Sequence, residues 1–319
     1  MAAHKNVLIT GAARGIGRVI ARHLALLGHN IFLIDIQQVE LEYTATSHIP
    51  KCLSERTPNG VAPVQKEALI GYKVCDLRDP AAINDAVQAA ASFFPGGEID
   101  VLINNAGLCK AQFKGGRTME DPGVLAEWTA YLAVNLTAPF LVSQACLPFM
   151  KHIESGTTKP FEAVIRPEAA QASSGFLSEE ARRGFTRPEV QSRCIINISS
   201  FRALQSEPNC EGYAASKAGM LGLTQAMAVS GAQWGIRCNA VLPGFTFVDH
   251  ECKEADESRG KMWWTEGIDA DRHRHHPVGR IGYGEDVADA IVWLMGAGFV
   301  TGQEICVDGG ISKVKHVSA

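Results

Sequence analysis

Short apolar runs alternate along this chain with stretches in which apolar residues recur every three or four positions. The runs predict strands over 5–9, 30–35, 71–75, 100–104, 194–198, 236–242 and 303–307. The longer stretches predict helices over 15–27, 80–94, 124–151, 213–233 and 284–297. Strand and helix in strict alternation give an α/β fold: a doubly wound parallel sheet of about seven strands with helices on both faces. Ligands of such a sheet bind beyond the carboxyl ends of its strands, where the winding reverses.

Two segments exceed that plan. Residues 41–70 contain Pro50, Pro58, Asn59, Gly60 and Pro63, which should break any long helix there. Residues 152–193 form a connection of about forty residues where a few suffice. The second holds Pro160, Pro167 and Pro188, and one short helix is expected over 178–183. It has too few apolar residues for a core of its own, so it reads as an insertion into a single domain spanning 1–319. Joining a helix end to a strand start, it should lie on the face away from the ligand.

Composition narrows the function classes. The 319 residues are 46% hydrophobic and 20% charged, with a formal net charge of -4 and no basic run, so nucleic acid is not an expected partner. No uninterrupted apolar stretch approaches ~18 residues, and no membrane span is expected. The first strand begins at Lys5, which leaves no room ahead of it for a secretory signal. Nine scattered cysteines, an odd number without a Cys-x-x-Cys pair, fit reduced and mostly buried thiols in a cytoplasmic setting.

The chemistry-bearing residues fall at strand ends. Thr10-Gly11-Ala12-Ala13-Arg14-Gly15-Ile16-Gly17 leaves the first strand and opens a helix, so small residues can bring the helix N-terminus close to a pyrophosphate. By itself this could be an ordinary turn. About twenty residues later Asp35 ends the second strand, where a carboxylate can accept hydrogen bonds from an adenosine ribose and repel a 2′-phosphate. NAD is therefore expected ahead of NADP, with Arg14 the residue that could offset this; a turn or capping role is the alternative for Asp35. Asp76 ends strand three, and Asn104-Asn105-Ala106-Gly107 ends strand four, both on the same edge. Asn135 interrupts an apolar helix and needs hydrogen-bond partners there, structural or functional.

Ser200, Tyr213 and Lys217 carry most weight. Tyr213 and Lys217 stand four apart at a helix start and share a face, while Ser200 ends strand five. Moving a hydride from an alcohol requires loss of the hydroxyl proton. A phenol can take and return that proton if a nearby ammonium lowers its pKa, and a serine hydroxyl can hold the substrate oxygen.

In this order and spacing, these residues resemble the short-chain dehydrogenase/reductase family, in its compact single-domain Rossmann-like branch. The match runs through Thr10-Gly11-x-x-x-Gly15-x-Gly17, Asp35, Asp76, Asn104-Asn105-Ala106-Gly107, Asn135, Ser200, Tyr213-x-x-x-Lys217 and Pro243-Gly244. The resemblance implies Tyr213 as general acid/base, Lys217 as the residue that lowers its pKa and holds the nicotinamide ribose, and Ser200 as substrate orienter. It also implies that Asn135 anchors a proton-relay water and that Pro243-Gly244 begins the segment beside the nicotinamide. A homo-oligomer, dimer or tetramer, follows from the same resemblance. The family often places a threonine where this chain has Val248; Thr246 stands two residues earlier.

A substrate lid is expected over about 245–280. Its Phe245, Phe247, Trp263 and Trp264 could favour a bulky substrate or could simply pack the lid onto the body. The cluster His273, Arg274, His275, His276 lacks a supported metal spacing, so no metal is expected; a solvated loop ranks ahead of recognition of an acidic substrate group. The expected activity is hydride transfer between NAD(H) and a secondary alcohol or ketone. Its rivals are redox-neutral chemistry on a bound nicotinamide and a cofactor-binding scaffold.

Overall fold

The computed structural model describes residues 4–55, 68–109, 118–150, 193–258, 268 and 270–314. In chain order these give β1 (Asn6–Thr10), α1 (Gly15–Leu26), β2 (Asn30–Asp35), α2 (Gln38–Tyr43), α3 (Ile49–Glu55), β3 (Ile70–Val74), α4 (Pro80–Phe93) and β4 (Val101–Asn104). Then follow α5 (Val124–Leu132), α6 (Ala138–Met150), β5 (Arg193–Ile198), α7 (Glu211–Gly231), β6 (Ile236–Pro243) and the short β7 (Thr246–Phe247). The chain closes with α8 (Lys253–Glu257), α9 (Ala270–Arg274), the short β8 (Gly282–Tyr283), α10 (Gly284–Gly296) and β9 (Glu304–Val307).

Seven strands form one sheet in the order β3-β2-β1-β4-β5-β6-β9, all parallel. All seven predicted strands are there, and the winding reverses between β1 and β4. Side-chain alternation sends Ile9, Leu33, Ile103 and Ile196 to one face, where they pack with Ile20 and Leu24 of α1 and Ile291 of α10. Leu8, Phe32, Leu102 and Ile195 face the other way, against Ile83 and Val87 of α4 and Val142 and Cys146 of α6. Helix starts follow local chemistry: Asp79 accepts from the Ala81 amide at 2.8 Å ahead of Pro80, the first residue of α4.

Three expectations need correction. Pro50 does not stop helical structure: α2 passes through a π-helical turn at Thr44–His48 into α3, which contains Pro50. The wider turn relieves the clash a proline ring makes with the carbonyl one turn earlier. The helix predicted over 124–151 is likewise divided by a π-helical turn at Ala133–Thr137, just before Pro139. Finally, Val124–Met150 is long and apolar enough, by length and composition alone, to cross a membrane. In the fold it is a core helix, because Val142, Cys146 and Met150 are buried against the sheet. The sequence between 152 and 192 lies outside the described residues, as do Pro58, Asn59, Gly60, Pro63, Trp263 and Trp264.

Candidate active site

A cleft of about 1370 Å³ opens at the carboxyl ends of the strands, across the point where β1 and β4 lie side by side. It is lined by Gly11, Arg14, Gly15, Ile16 and Gly17 after β1, Asp35 at the end of β2, Asp76 after β3, and Asn105, Ala106 and Gly107 after β4. Ser200, Tyr213, Lys217, Pro243, Gly244 and Thr246 complete its far side.

The turn after β1 has no room for larger side chains. A Cβ at Gly17 would sit 2.0 Å from the Gly11 carbonyl oxygen, and one at Gly11 would sit 2.5 Å from Ala106 Cα. Gly11 and Gly15 also hold positive φ, at 65° and 61°. Thr10 Oγ1 accepts from the amides of Asn105 and Ala106, both at 3.1 Å, and Asn105 Nδ2 donates to the Gly11 carbonyl at 2.8 Å, so the β1 and β4 turns brace each other. Helix α1 then faces the cleft with neither a side-chain cap nor an acid in its first turn, an arrangement that receives an anion.

Asp35 is buried at the edge of this turn. One carboxylate oxygen accepts from the Ala13 amide at 3.0 Å and the other from the Gln37 amide at 2.9 Å. The two bonds fix its orientation and leave further lone pairs for a ligand. Asp76 is instead engaged by Arg78, whose Nε lies 2.9 and 3.0 Å from its two oxygens; these hydrogen bonds hold the Asp76 carboxyl below the usual range.

Tyr213 lies in the first turn of α7, with Tyr131 of α5 packed edge-on against its ring at 6.0 Å. Burial pushes its phenol above the ordinary value; nearby Cys109 adds to this, and a hydrogen bond with Ser200 works in the opposite direction. Ser200 also accepts from the Arg202 amide at 3.2 Å, which caps a single 3₁₀ turn after β5. Neighbouring Ser199 donates to the Lys217 carbonyl at 2.8 Å and ties α7 to the same strand end. Lys217 reaches back beneath Tyr213, with Nζ 5.8 Å from the ring centroid and donating to the Ile198 carbonyl at 2.8 Å. Burial lowers its amine to about 8. In the ligand-free protein, burial is the largest influence on the phenol, and it acts against the low value expected from Lys217.

Asn135 sits in the π-helical turn, fully buried behind Gly107. Its Oδ1 accepts from the Leu108 amide at 2.7 Å, while Nδ2 donates to the Leu108 carbonyl at 3.2 Å and to Ser216 Oγ at 3.1 Å. The side chain braces the β4 loop against α7 and is not among the residues lining the cleft.

The segment after β6 docks across the cleft onto α1. Its anchor is Glu251, which accepts both Arg22 nitrogens at 2.7 and 2.8 Å, lies 3.5 Å from Arg18 Nε, and accepts the Gly15 amide on its carbonyl at 2.9 Å. Burial would raise the Glu251 carboxyl, but Arg22 and Arg18 hold it below its usual range. Asp256 pairs with fully buried Arg18 and with His48, whose imidazole burial and Arg18 push down to about 4. The backbone at Thr246–Phe247 pairs with Gly282–Tyr283, and Thr246 Oγ1 donates to the Gly244 carbonyl at 3.2 Å.

Comparison with known proteins gives one answer. A family model described as short chain dehydrogenase matches residues 5–158, and one described as enoyl-(acyl carrier protein) reductase matches 171–312. The chain is 31% identical over 306 residues to a human (3R)-3-hydroxyacyl-CoA dehydrogenase, covering 95% of this chain and 94% of that one. It is 28% identical over 309 residues to a Thermotoga maritima 3-oxoacyl-[acyl-carrier-protein] reductase, covering 96% and 97%. The fold matches a Brucella melitensis 3-ketoacyl-(acyl-carrier-protein) reductase solved with NADH, at TM-score 0.67 and 24% identity over 97% and 98% of the two chains. The chain belongs to the short-chain dehydrogenase/reductase family.

Within this dehydrogenase fold, the structure brings together on one cleft every site residue anticipated from the sequence except Asn135. Asn104, part of the same motif, points instead into the core and donates to Ser143 and Asn197. Val248 and Thr246 both line the cleft, Val248 beside Gly15. Of the lid aromatics, Phe245 lines the cleft, whereas Phe247 is buried and stacks on His250 at 5.3 Å. The sequence reading missed Cys109, Arg202, Cys210, Arg272 and the Arg18–Arg22–Glu251 anchor. Cys109 follows the Asn-Ala-Gly motif directly and was within reach; the anchor joins residues more than two hundred positions apart.

Proposed function

We propose that this protein transfers a hydride between NAD(H) and the carbinol carbon of a secondary alcohol or the matching ketone, with Tyr213 as general acid/base. The observation that carries the reading is the Tyr213 phenol, hydrogen-bonded to Ser200 and backed by the Lys217 ammonium, in the same cleft as the glycine turn. The cradle fits a dinucleotide: α1 opens on it without an acid, and Asp35 presents a fixed carboxylate at the end of β2, with β1 and β4 between it and the Ser200 end of β5. Gly11 to Gly17, Asp35, Asn105 to Gly107, Lys217 and Pro243 to Thr246 would hold it. The bound nicotinamide supplies the hydride donor or acceptor.

The protein's own groups then handle the proton and the oxygen. Ser200 orients the substrate oxygen, and Tyr213 Oη gives a proton to the developing alkoxide or takes one from the alcohol. Lys217 stabilises the phenolate form, and its contribution falls as its own charge is lost above about pH 8. Asn135 acts by positioning, through its hold on Leu108.

Asp35 supports NAD ahead of NADP. The named relatives make 3-oxoacyl and 3-hydroxyacyl thioesters the first substrates to try. A homo-oligomer in the cytoplasm completes the reading, supported by exposed Leu125, Trp128 and Phe140 on α5 and α6 and Val229 on α7. Titration of the tryptophan fluorescence with NADH and with NADPH, followed by NADH-linked turnover of these thioesters, tests the assignment. Preference for NADH with turnover supports it; binding of neither nucleotide contradicts it.

A further inference from the structure

Among the described residues, the cleft contains one arginine that is neither paired with a carboxylate nor used by the hydride-transfer reading. Arg202 is paired with Glu207, Arg78 with Asp76, Lys217 is buried beneath the phenol, and Arg14 sits at the glycine turn. Arg272, on the lid helix α9, is exposed and has no carboxylate partner among the described residues. Its guanidinium lies 4.9 Å above the Phe245 ring, a cation–π contact that helps hold it where the residue lines the cleft.

Beside it is a second unexplained group. His276 lines the same cleft and is only 3% exposed. Its Nδ1 lies 2.9 Å from the Arg272 carbonyl oxygen, and because a carbonyl only accepts, Nδ1 carries a proton. Nε2 is buried with no hydrogen-bond partner. Buried polar atoms seldom stay unpaired, so this nitrogen has a hydrogen bond left to give or take.

Position separates the pair from the dinucleotide phosphates. The glycine turn follows β1, the Ser200–Tyr213 pair follows β5, and Arg272 and His276 pack against residues after β6 and β9. Phe245 is one of these, and Gly309 is another, where an added Cβ would stand 3.2 Å from His276 Cδ2. The phenol's strand therefore lies between the phosphate turn and this pair. An acidic oxygen group satisfies both residues: it takes two N–H donors from the Arg272 fork and shares one proton with His276 Nε2. A carboxylate does so with the ring protonated, a monoprotonated phosphate ester with the ring neutral.

We propose that Arg272 and His276 form a subsite for an acidic group on the substrate, so that this enzyme acts on oxo- or hydroxy-acids or their phosphate counterparts. This rests on the hydride-transfer reading, and its test is built to fail separately. Calorimetric titration of the protein with NADH present would use the oxo-acids from 3-oxobutanoate to 6-oxoheptanoate against their methyl esters. Dihydroxyacetone phosphate against dihydroxyacetone forms the phosphate arm.

At least one charged ligand should bind about tenfold or more tightly than its neutral partner, and the arm in which this occurs identifies the acid. Arg272→Gln should bring that ratio close to one, Arg272→Lys should keep part of it, and NADH affinity should hold. Ratios near one throughout the wild-type protein would overturn the proposal. So would an Arg272→Gln protein that loses NADH affinity with the ratio intact, because Arg272 would then be a cofactor contact. Turnover of the charged and neutral ketones is scored separately: its absence from every one of them contradicts hydride transfer, while the binding ratio still decides the subsite.

Discussion

Replacing Lys217 with methionine should make the protein more stable near neutral pH while disabling it. Burial lowers the Lys217 amine from 10.5 to about 8, so the folded state disfavours its charge. At ~1.4 kcal/mol per unit of difference between folded and unfolded pKa, that penalty is about 3 kcal/mol wherever both states are protonated, below about pH 8. Loss of the 2.8 Å bond to the Ile198 carbonyl returns roughly 1 kcal/mol, for a net gain of about 2 kcal/mol in Lys217→Met near pH 7.

The sign of the pH dependence is fixed. Between about 8 and 10.5 the unfolded chain holds a proton that the folded state has released, so the wild-type protein gains stability as pH rises. The variant lacks this titration. Its advantage should therefore shrink by about 2 kcal/mol on going from about pH 7 to about pH 9.5. Urea unfolding of both proteins at the two pH values, followed by circular dichroism, measures the difference, in which other titrating groups cancel. An advantage that is constant or grows with pH would refute the burial argument for this amine.

Three further outcomes follow from the geometry. Asp35→Asn keeps the side chain's shape but removes its charge, and should narrow the NADH-over-NADPH affinity ratio by about tenfold or more, read by fluorescence titration. Gly17→Ala places a methyl group 2.0 Å from the Gly11 carbonyl oxygen and should weaken NADH binding at least tenfold with ~1–3 kcal/mol lost from stability. Glu251→Gln leaves Arg18 and Arg22 without their buried counter-charge and should cost ~3–5 kcal/mol in urea unfolding, with a weaker hold of the lid on Gly15.

The parts of this molecule legible in its sequence are those written by local rules. Strands such as Ile195-Ile196 and Leu102-Ile103 are continuous apolar runs because both faces of the sheet are covered, and the turn after Thr10 declares itself through glycines that admit no Cβ. Tyr213 and Lys217 could be paired because four residues on a helix is a fixed distance. What was not legible depends on contacts distant in sequence. Glu251 reads as one more surface acid until the fold sets it against Arg18 and Arg22. Asn135 could be flagged as an uncomfortable amide in an apolar helix, but not as the brace of Leu108, because the π-helical turn that presents it is created by packing and by Pro139. Pro50 misled for the same reason. The balance of burial against charge at Tyr213 also required the surrounding atoms, Cys109 included.

The most direct test of the central claim is Tyr213→Phe, assayed in parallel for NADH affinity and for turnover. If the phenol handles the substrate proton, NADH should bind within about twofold of wild type while kcat falls by ~10²–10⁴-fold. Turnover retained near the wild-type rate, with cofactor binding intact, would show that another group moves the proton and would contradict the account.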